Sequence, residues 1–140
     1  MSESREQLIA KLKEIARKIR IHILNMTTAA QSGHPGGSLS GTEIATALYF
    51  HKMNFNPKNL KDPERDRFLL SKGHCSPLVY SILAELGVIP VEELKTFRQI
   101  NSRLQGHVDK NSTPGVEMSF GSLGIGLAVA NGIALAAKHD

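Results

Sequence analysis

Leu8, Leu12, Ile15, Ile19, Ile23, Met26 and Ala30 recur at three- and four-residue intervals, which predicts one apolar face of a long helix over residues 4–31. Ser4 with Gln7 fits a capping box at its start, and Gly33 is the expected stop. The next stretch, Gln31-Ser32-Gly33-His34-Pro35-Gly36-Gly37-Ser38-Leu39-Ser40, breaks the periodicity and reads as a rigid loop presenting His34. A second capping box, Ser40-Gly41-Thr42-Glu43, opens a helix that carries Ile44, Ala45, Leu48 and Tyr49 to about residue 52. Turn residues fill 54–66, and Arg67-Phe68-Leu69-Leu70 reads as a short buried strand. A helix over 77–86 follows, with Pro77 at its first position and Gly87 at its end. Pro90 begins a shorter one that ends near residue 98. Residues 102–115 form the longest loop, 116–118 a short extended piece, and 127–137 a small-residue helix. Strand, loop and helix follow in that order, and in open α/β sheets the strand's carboxyl end is where ligands bind.

Composition narrows the class. With 140 residues and 41% hydrophobic content the chain can bury a core and needs no more than one domain. The lone Cys75 excludes an internal disulfide and suits a reducing, cytoplasmic setting; the start Met1-Ser2-Glu3-Ser4-Arg5 carries no signal-peptide pattern. No apolar run approaches a membrane span. The net charge of +4 comes from Lys and Arg that no aromatic residues interleave and that Glu interrupts, which argues for a solvated face rather than nucleic-acid binding. Anionic small substrates suit the same balance.

Candidate chemistry lies in a repeated step. Gly33-His34, Gly73-His74 and Gly106-His107 each stand at the exit of a predicted helix or strand, or in a loop, where the side chains can reach one cleft. Imidazole moves protons near neutral pH, so a shared cleft could do acid–base work; three separate turn histidines are the plain alternative. A zinc site is disfavoured because no pair has the short spacing that anchors one. Gly121-Ser122-Leu123-Gly124-Ile125-Gly126 enters a helix, where free N–H groups and the helix dipole favour an anion such as a diphosphate. A glycine-rich helix contact is the competing account. The dinucleotide fingerprint fails, since Val129 stands where its third glycine belongs. Cys75 is read as a small, partly buried thiol, His22 as a packed histidine, and His51 as a helix-end residue.

Ser32-Gly33-His34-Pro35-Gly36-Gly37-Ser38, Ser71-Lys72-Gly73-His74, Gln105-Gly106-His107 and Gly121-Ser122-Leu123-Gly124, in this order and at these intervals, resemble the amino-terminal part of transketolase. Pro114-Gly115-Val116-Glu117-Met118-Ser119 resembles the form split between two polypeptides. Deoxyxylulose-phosphate synthases share the architecture but lack the His-Pro-Gly-Gly run. The resemblance implies a thiamine diphosphate-binding α/β fold, with residues 1–140 as the helix-rich amino-terminal part of a mainly parallel-sheet pyrophosphate-binding domain. It implies transfer of a two-carbon ketol unit between ketose and aldose phosphates. By motif position, His34 and His107 are expected to be catalytic, contacting substrate oxygens. His74, Gly121, Ser122 and Leu123 are expected to bind the cofactor.

Three departures are visible. Val108-Asp109 stands where the family often has Pro-Glu, which predicts a looser turn after His107. Phe120 replaces a small residue and Ile125 a glutamine around the Gly-Ser-Leu-Gly turn. The family's Gly-Asp-Gly strand and later Asn, which bind Mg2+ or another divalent metal, are expected beyond residue 140, as is the pyrimidine-binding domain. The expectation is therefore a truncated segment, inactive alone, that works in a homo- or hetero-oligomer with a carboxyl-terminal transketolase subunit or domain. A non-catalytic helical interaction module is the rival reading.

Overall fold

Nine consecutive residues, Ser76 to Ala84, are all buried, and they make α4 (Ser76–Glu85) the helix against which the other elements are laid. The computed structural model describes residues 3–139, so the reading of Met1-Ser2 lies outside it. Before α4 come α1 (Arg5–Ala30), α2 (Pro35–Ser40), α3 (Thr42–Ala47), a π-helical turn (Leu48–Lys52) and a 3-10 turn (Gly73–Cys75). After it come a second 3-10 turn (Val91–Thr96) and α5 (Ile125–Ala136).

α1 forms as its periodicity predicts. The Ser4 hydroxyl accepts from the Gln7 N–H at 3.2 Å, and the Ser4 N–H donates to the Gln7 side chain at 2.9 Å, an arrangement that stabilises a helix start by about 1 kcal/mol. Its stripe is half-buried at Leu8, Leu12 and Ile15 and fully buried at Ile19, Ile23 and Met26, where the helix crosses α4. His22 of α1 meets Glu85 of α4 at 2.8 Å, as expected of a packed and satisfied histidine. Ile19 and Ile23 join Tyr49, Leu78 and Ile82 in one cluster, and Met26 joins Tyr80, Leu83, Phe97 and Leu104 in another.

The helix stop is made by Gln31 rather than Gly33. Gln31 takes the left-handed conformation at φ 48°, and its N–H returns to Thr27 and Thr28 carbonyls. Gly33 instead admits close passage, since a Cβ there would lie 2.8 Å from Thr27 Cγ2.

Residues 31–40 are not wholly a loop, because Pro35 begins α2, its fixed φ being compatible with a first helical position. The Gly36-Gly37 pair costs a helix about 2 kcal/mol relative to alanine. Packing offsets this, because Gly37 lies so close to Cys75 that a Cβ would sit 2.6 Å from Sγ. With α2 in place, the expected capping box at Ser40 does not form. The Ser40 hydroxyl donates back to Gly37 O at 3.0 Å, and Gly41 joins α2 directly to α3.

The segment 67–70 is a correction of the expected strand. Leu70 is buried and Phe68 and Leu69 are half-buried, so the apolar run does enter the core. No second extended segment pairs with its backbone, and among the described residues there is no strand. The helix over 77–86 is confirmed as α4, closed by Gly87 at φ 74°.

Leu83→Ala, at a fully buried position of α4, is expected to lower unfolding free energy by about 2–5 kcal/mol in urea titration, while Ile100→Ala, at a 93% exposed site, stays within about 0.5 kcal/mol.

Candidate functional site

The three Gly-His steps converge. His34 stands at the start of α2, His74 in the 3-10 turn that leads into α4, and His107 in the loop after Leu104. Their ring centroids are 4.9 Å apart for His34 and His74, 6.5 Å for His34 and His107, and 6.4 Å for His74 and His107. Each pair of rings is set edge to face.

Side chains that the sequence reading passed over hold this arrangement. Ser76 and Tyr80, one turn apart on α4, aim their hydroxyls at the carbonyls of the third step. Ser76 reaches Gln105 O at 3.1 Å and Gly106 O at 3.0 Å, and Tyr80 reaches Gln105 O at 2.9 Å and His107 O at 3.3 Å. The Val108 N–H donates to Gly73 O at 3.0 Å, joining the second step to the third. Lys72 Nζ donates to Gly37 O at 2.6 Å and Ser40 Oγ at 3.0 Å, joining the second to the first. Two hydroxyls spaced i, i+4 in a mostly apolar helix were the available signal for Ser76 and Tyr80.

The turn after His107 is tight, contrary to the looser turn expected of Val108-Asp109. Val108 is buried, and Asp109 accepts from the Ser112 and Ser119 hydroxyls and the Asn111 N–H. Those hydrogen bonds hold its carboxyl below the usual carboxylate range.

Gly121, Ser122 and Leu123 are exposed, and the turn they form is pinned on both sides to the strip that leads to His74. A Cβ on Gly73 would lie 1.9 Å from Phe120 O, and one on Gly126 would lie 2.4 Å from Ser71 Cβ. Phe120 turns into the core, which is why a large residue is accepted before the turn. An open cleft of about 470 Å3, lined by Gly106, His107, Asp109, Ser119 and Gly121, separates the third step from this turn. A second concavity of about 410 Å3, between α1 and α3, includes none of the candidate site residues.

The electrostatics suit an anion. Burial, then the charges of His34, His107 and Lys72, push the His74 pKa below its ordinary 6.5, so near pH 7 its imidazole is neutral, with one N–H to donate. A Cβ on Gly121 would meet nothing within 4 Å, and Gly124 at φ 91° opens α5, whose first N–H groups have no intrahelical acceptor. Open space, helix N–H groups and a neutral imidazole fit a diphosphate. Among the described residues no group of three or more His, Cys, Asp or Glu could hold a metal ion. Cys75 is buried, as a packed thiol should be, and burial pushes its pKa up against the opposing effects of Lys72 and the Ser38 hydroxyl.

This combination defines a domain built to receive an anionic cofactor beside a cluster of imidazoles. The family described as transketolase, thiamine diphosphate binding domain, matches residues 11–140, and the chain belongs to it. It is 48% identical over 137 residues to one subunit of the apulose-4-phosphate transketolase of Actinobacillus succinogenes, covering 98% of this chain and 49% of that one. It is 42% identical to the transketolase of Pongo abelii over 96% of this chain and 21% of that one. The crystal structure of a transketolase from Pichia stipitis superposes with a TM-score of 0.83 at 45% identity, over 89% of this chain and 18% of that one. The chain thus spans about half of the first relative and about a fifth of the others.

The sign of the His74 shift gives a test. Its folded state holds fewer protons than the unfolded state below about pH 6.5, so this group's contribution to stability is full above that pH and is lost as pH falls through the folded pKa. In Lys72→Met one cationic neighbour is gone, and the His74 ring, followed by NMR, is expected to titrate at higher pH than in the parent; an unchanged or lower midpoint would contradict the assigned cause.

Proposed function

We propose that this chain is the amino-terminal part of the pyrophosphate-binding domain of a transketolase that moves a two-carbon ketol unit from a ketose phosphate to an aldose phosphate. The observation that carries the reading is the meeting of His34, His74 and His107 within 6.5 Å of one another, next to the strip that pins the Gly121 turn. A non-catalytic interaction module leaves that meeting unexplained.

In this reading His74, Gly121, Ser122 and Leu123 hold thiamine diphosphate, its diphosphate taking N–H donors from the turn and from the start of α5. When bound, the cofactor supplies a nucleophilic carbon and an electron sink for the two-carbon unit. His34 and His107, both exposed at the cleft, contact substrate hydroxyls and the carbonyl oxygen and exchange protons with them. The ligands of Mg2+ or another divalent metal, and the glutamate that activates the cofactor, would come from polypeptide outside residues 3–139. The segment 67–70, unpaired among the described residues, becomes a strand of a mainly parallel sheet once that polypeptide is present. The working unit is cytoplasmic and oligomeric, completed by a carboxyl-terminal subunit or domain.

In the assembled enzyme, His34→Ala is expected to lower kcat for ketol transfer by about 10²- to 10⁴-fold while thiamine diphosphate affinity stays within about twofold. An equal loss of cofactor affinity would sink the substrate-facing role. Calorimetric titration of the 140-residue chain alone with thiamine diphosphate and Mg2+ is expected to give no micromolar binding, and tight binding there would show that the metal ligands are not missing.

A further inference from the structure

Among the described residues three non-glycine residues have positive φ: Gln31 at 48°, Arg98 at 61° and Asn101 at 67°. Gln31 ends α1, and asparagine tolerates this region through its short polar side chain. Arg98 has neither excuse, since glycine or asparagine would relieve the backbone. Contacts around residue 98 therefore have to offset the strain.

The Arg98 side chain reaches between two of the histidine steps. The guanidinium of Arg98 donates to the Ser32 hydroxyl, two residues before His34. It also lies against Gly106, where a Cβ would come within 2.5 Å of Nε and 2.6 Å of a terminal nitrogen. The Arg98 N–H donates to Leu104 O at 3.0 Å, closing the loop that leads to His107. Phe97 beside it is buried, with its ring 3.4 Å from where a Gly33 Cβ would stand. Ser76, Tyr80 and the Val108 N–H tie the third step to α4 and to the His74 turn, and Lys72 ties that turn to α2. The residues 97–98 corner joins the first step to the third directly.

We propose that Arg98 is a positioning residue that sets His107 against His34 by bridging Ser32 and Gly106; this rests on the reading of those two imidazoles as substrate-contacting groups. The guanidinium is planar and carries donors along its edge, so one side chain can bond Ser32 while its face fills the space that Gly106 leaves. Misplacement of reacting groups by about 1 Å can cost on the order of 10²-fold in rate, so a clip of this kind acts on turnover rather than on folding.

Arg98→Gly separates the two. Glycine accepts the left-handed backbone, so Tm and thiamine diphosphate affinity of the assembled enzyme are expected not to fall. The kcat for ketol transfer should drop by about 10- to 100-fold, and added guanidinium ion at millimolar concentration should restore part of it. Gly106→Ala, which displaces the same guanidinium from the other side, should lower kcat similarly. Unchanged kcat in Arg98→Gly, or a loss that tracks a fall in Tm or cofactor affinity, would overturn the proposal. The NMR signals of the His34 and His107 rings should also shift in Arg98→Gly while those of His22 and His51 stay fixed. If the parent enzyme shows no ketol transfer, the functional reading fails by itself, and this spectral comparison alone decides for or against the positioning role.

Discussion

The carbonyls of Gln105, Gly106 and His107 belong to a loop with no ladder to satisfy them, and the hydroxyls of Ser76 and Tyr80 supply their partners. Those hydroxyls project from α4, which is buried along nearly its whole length. Removing one loses hydrogen bonds worth about 0.5–1.5 kcal/mol each. Burial pushes the Tyr80 phenol up to about 12, so it stays protonated and remains a donor at any ordinary pH. The third histidine is thereby referred to the same buried helix into which the 3-10 turn carrying the second leads. The cluster follows from that shared reference more than from any contact between the rings.

Positive charge gathers at this point. Lys72 and Arg98 bond the segments that carry the three clustered imidazoles, and the Asp109 carboxylate, which lines the cleft with His107, is committed to Ser112, Ser119 and Asn111. Such a cluster is relieved either by neutral imidazoles or by an anion brought in. The lowered pKa of His74 is the first kind of relief, and the open turn before α5 provides room for the second.

Much of this was legible in the sequence where one physical rule acts alone. The period of α1, its capping box and the proline start of α4 are local, and local signals fixed them. Motif order singled out His34, His74, His107 and the Gly121 turn as candidates, although it could not place their rings. Reading failed where a tertiary contact overrode a local rule. Gly36-Gly37 looked like a loop because the Cys75 sulfur that makes glycine necessary there is far along the chain. Arg67-Phe68-Leu69-Leu70 has the composition of a strand, but a strand is a pairing, and composition does not say whether a partner exists. Lys72 and Arg98 were passed over because a lone cation in a turn has no periodicity to mark it.

The Gly-His step itself gains a physical meaning. Conformational freedom explains only the first glycine, since Gly33 alone of the three has positive φ, at 136°. What all three share is contact: a Cβ would lie 2.8 Å from Thr27 at Gly33, 1.9 Å from Phe120 O at Gly73, and 2.5 Å from Arg98 at Gly106. In each step the glycine is pressed against a neighbour while the next residue carries its ring into the cleft. An alanine would press Gly73 off the Phe120 carbonyl, and at Gly106 it would displace the Arg98 guanidinium, so that the imidazole that follows loses its support. The repeat is therefore an anchor followed by a reach, and three anchors on three different neighbours make the three reaches meet.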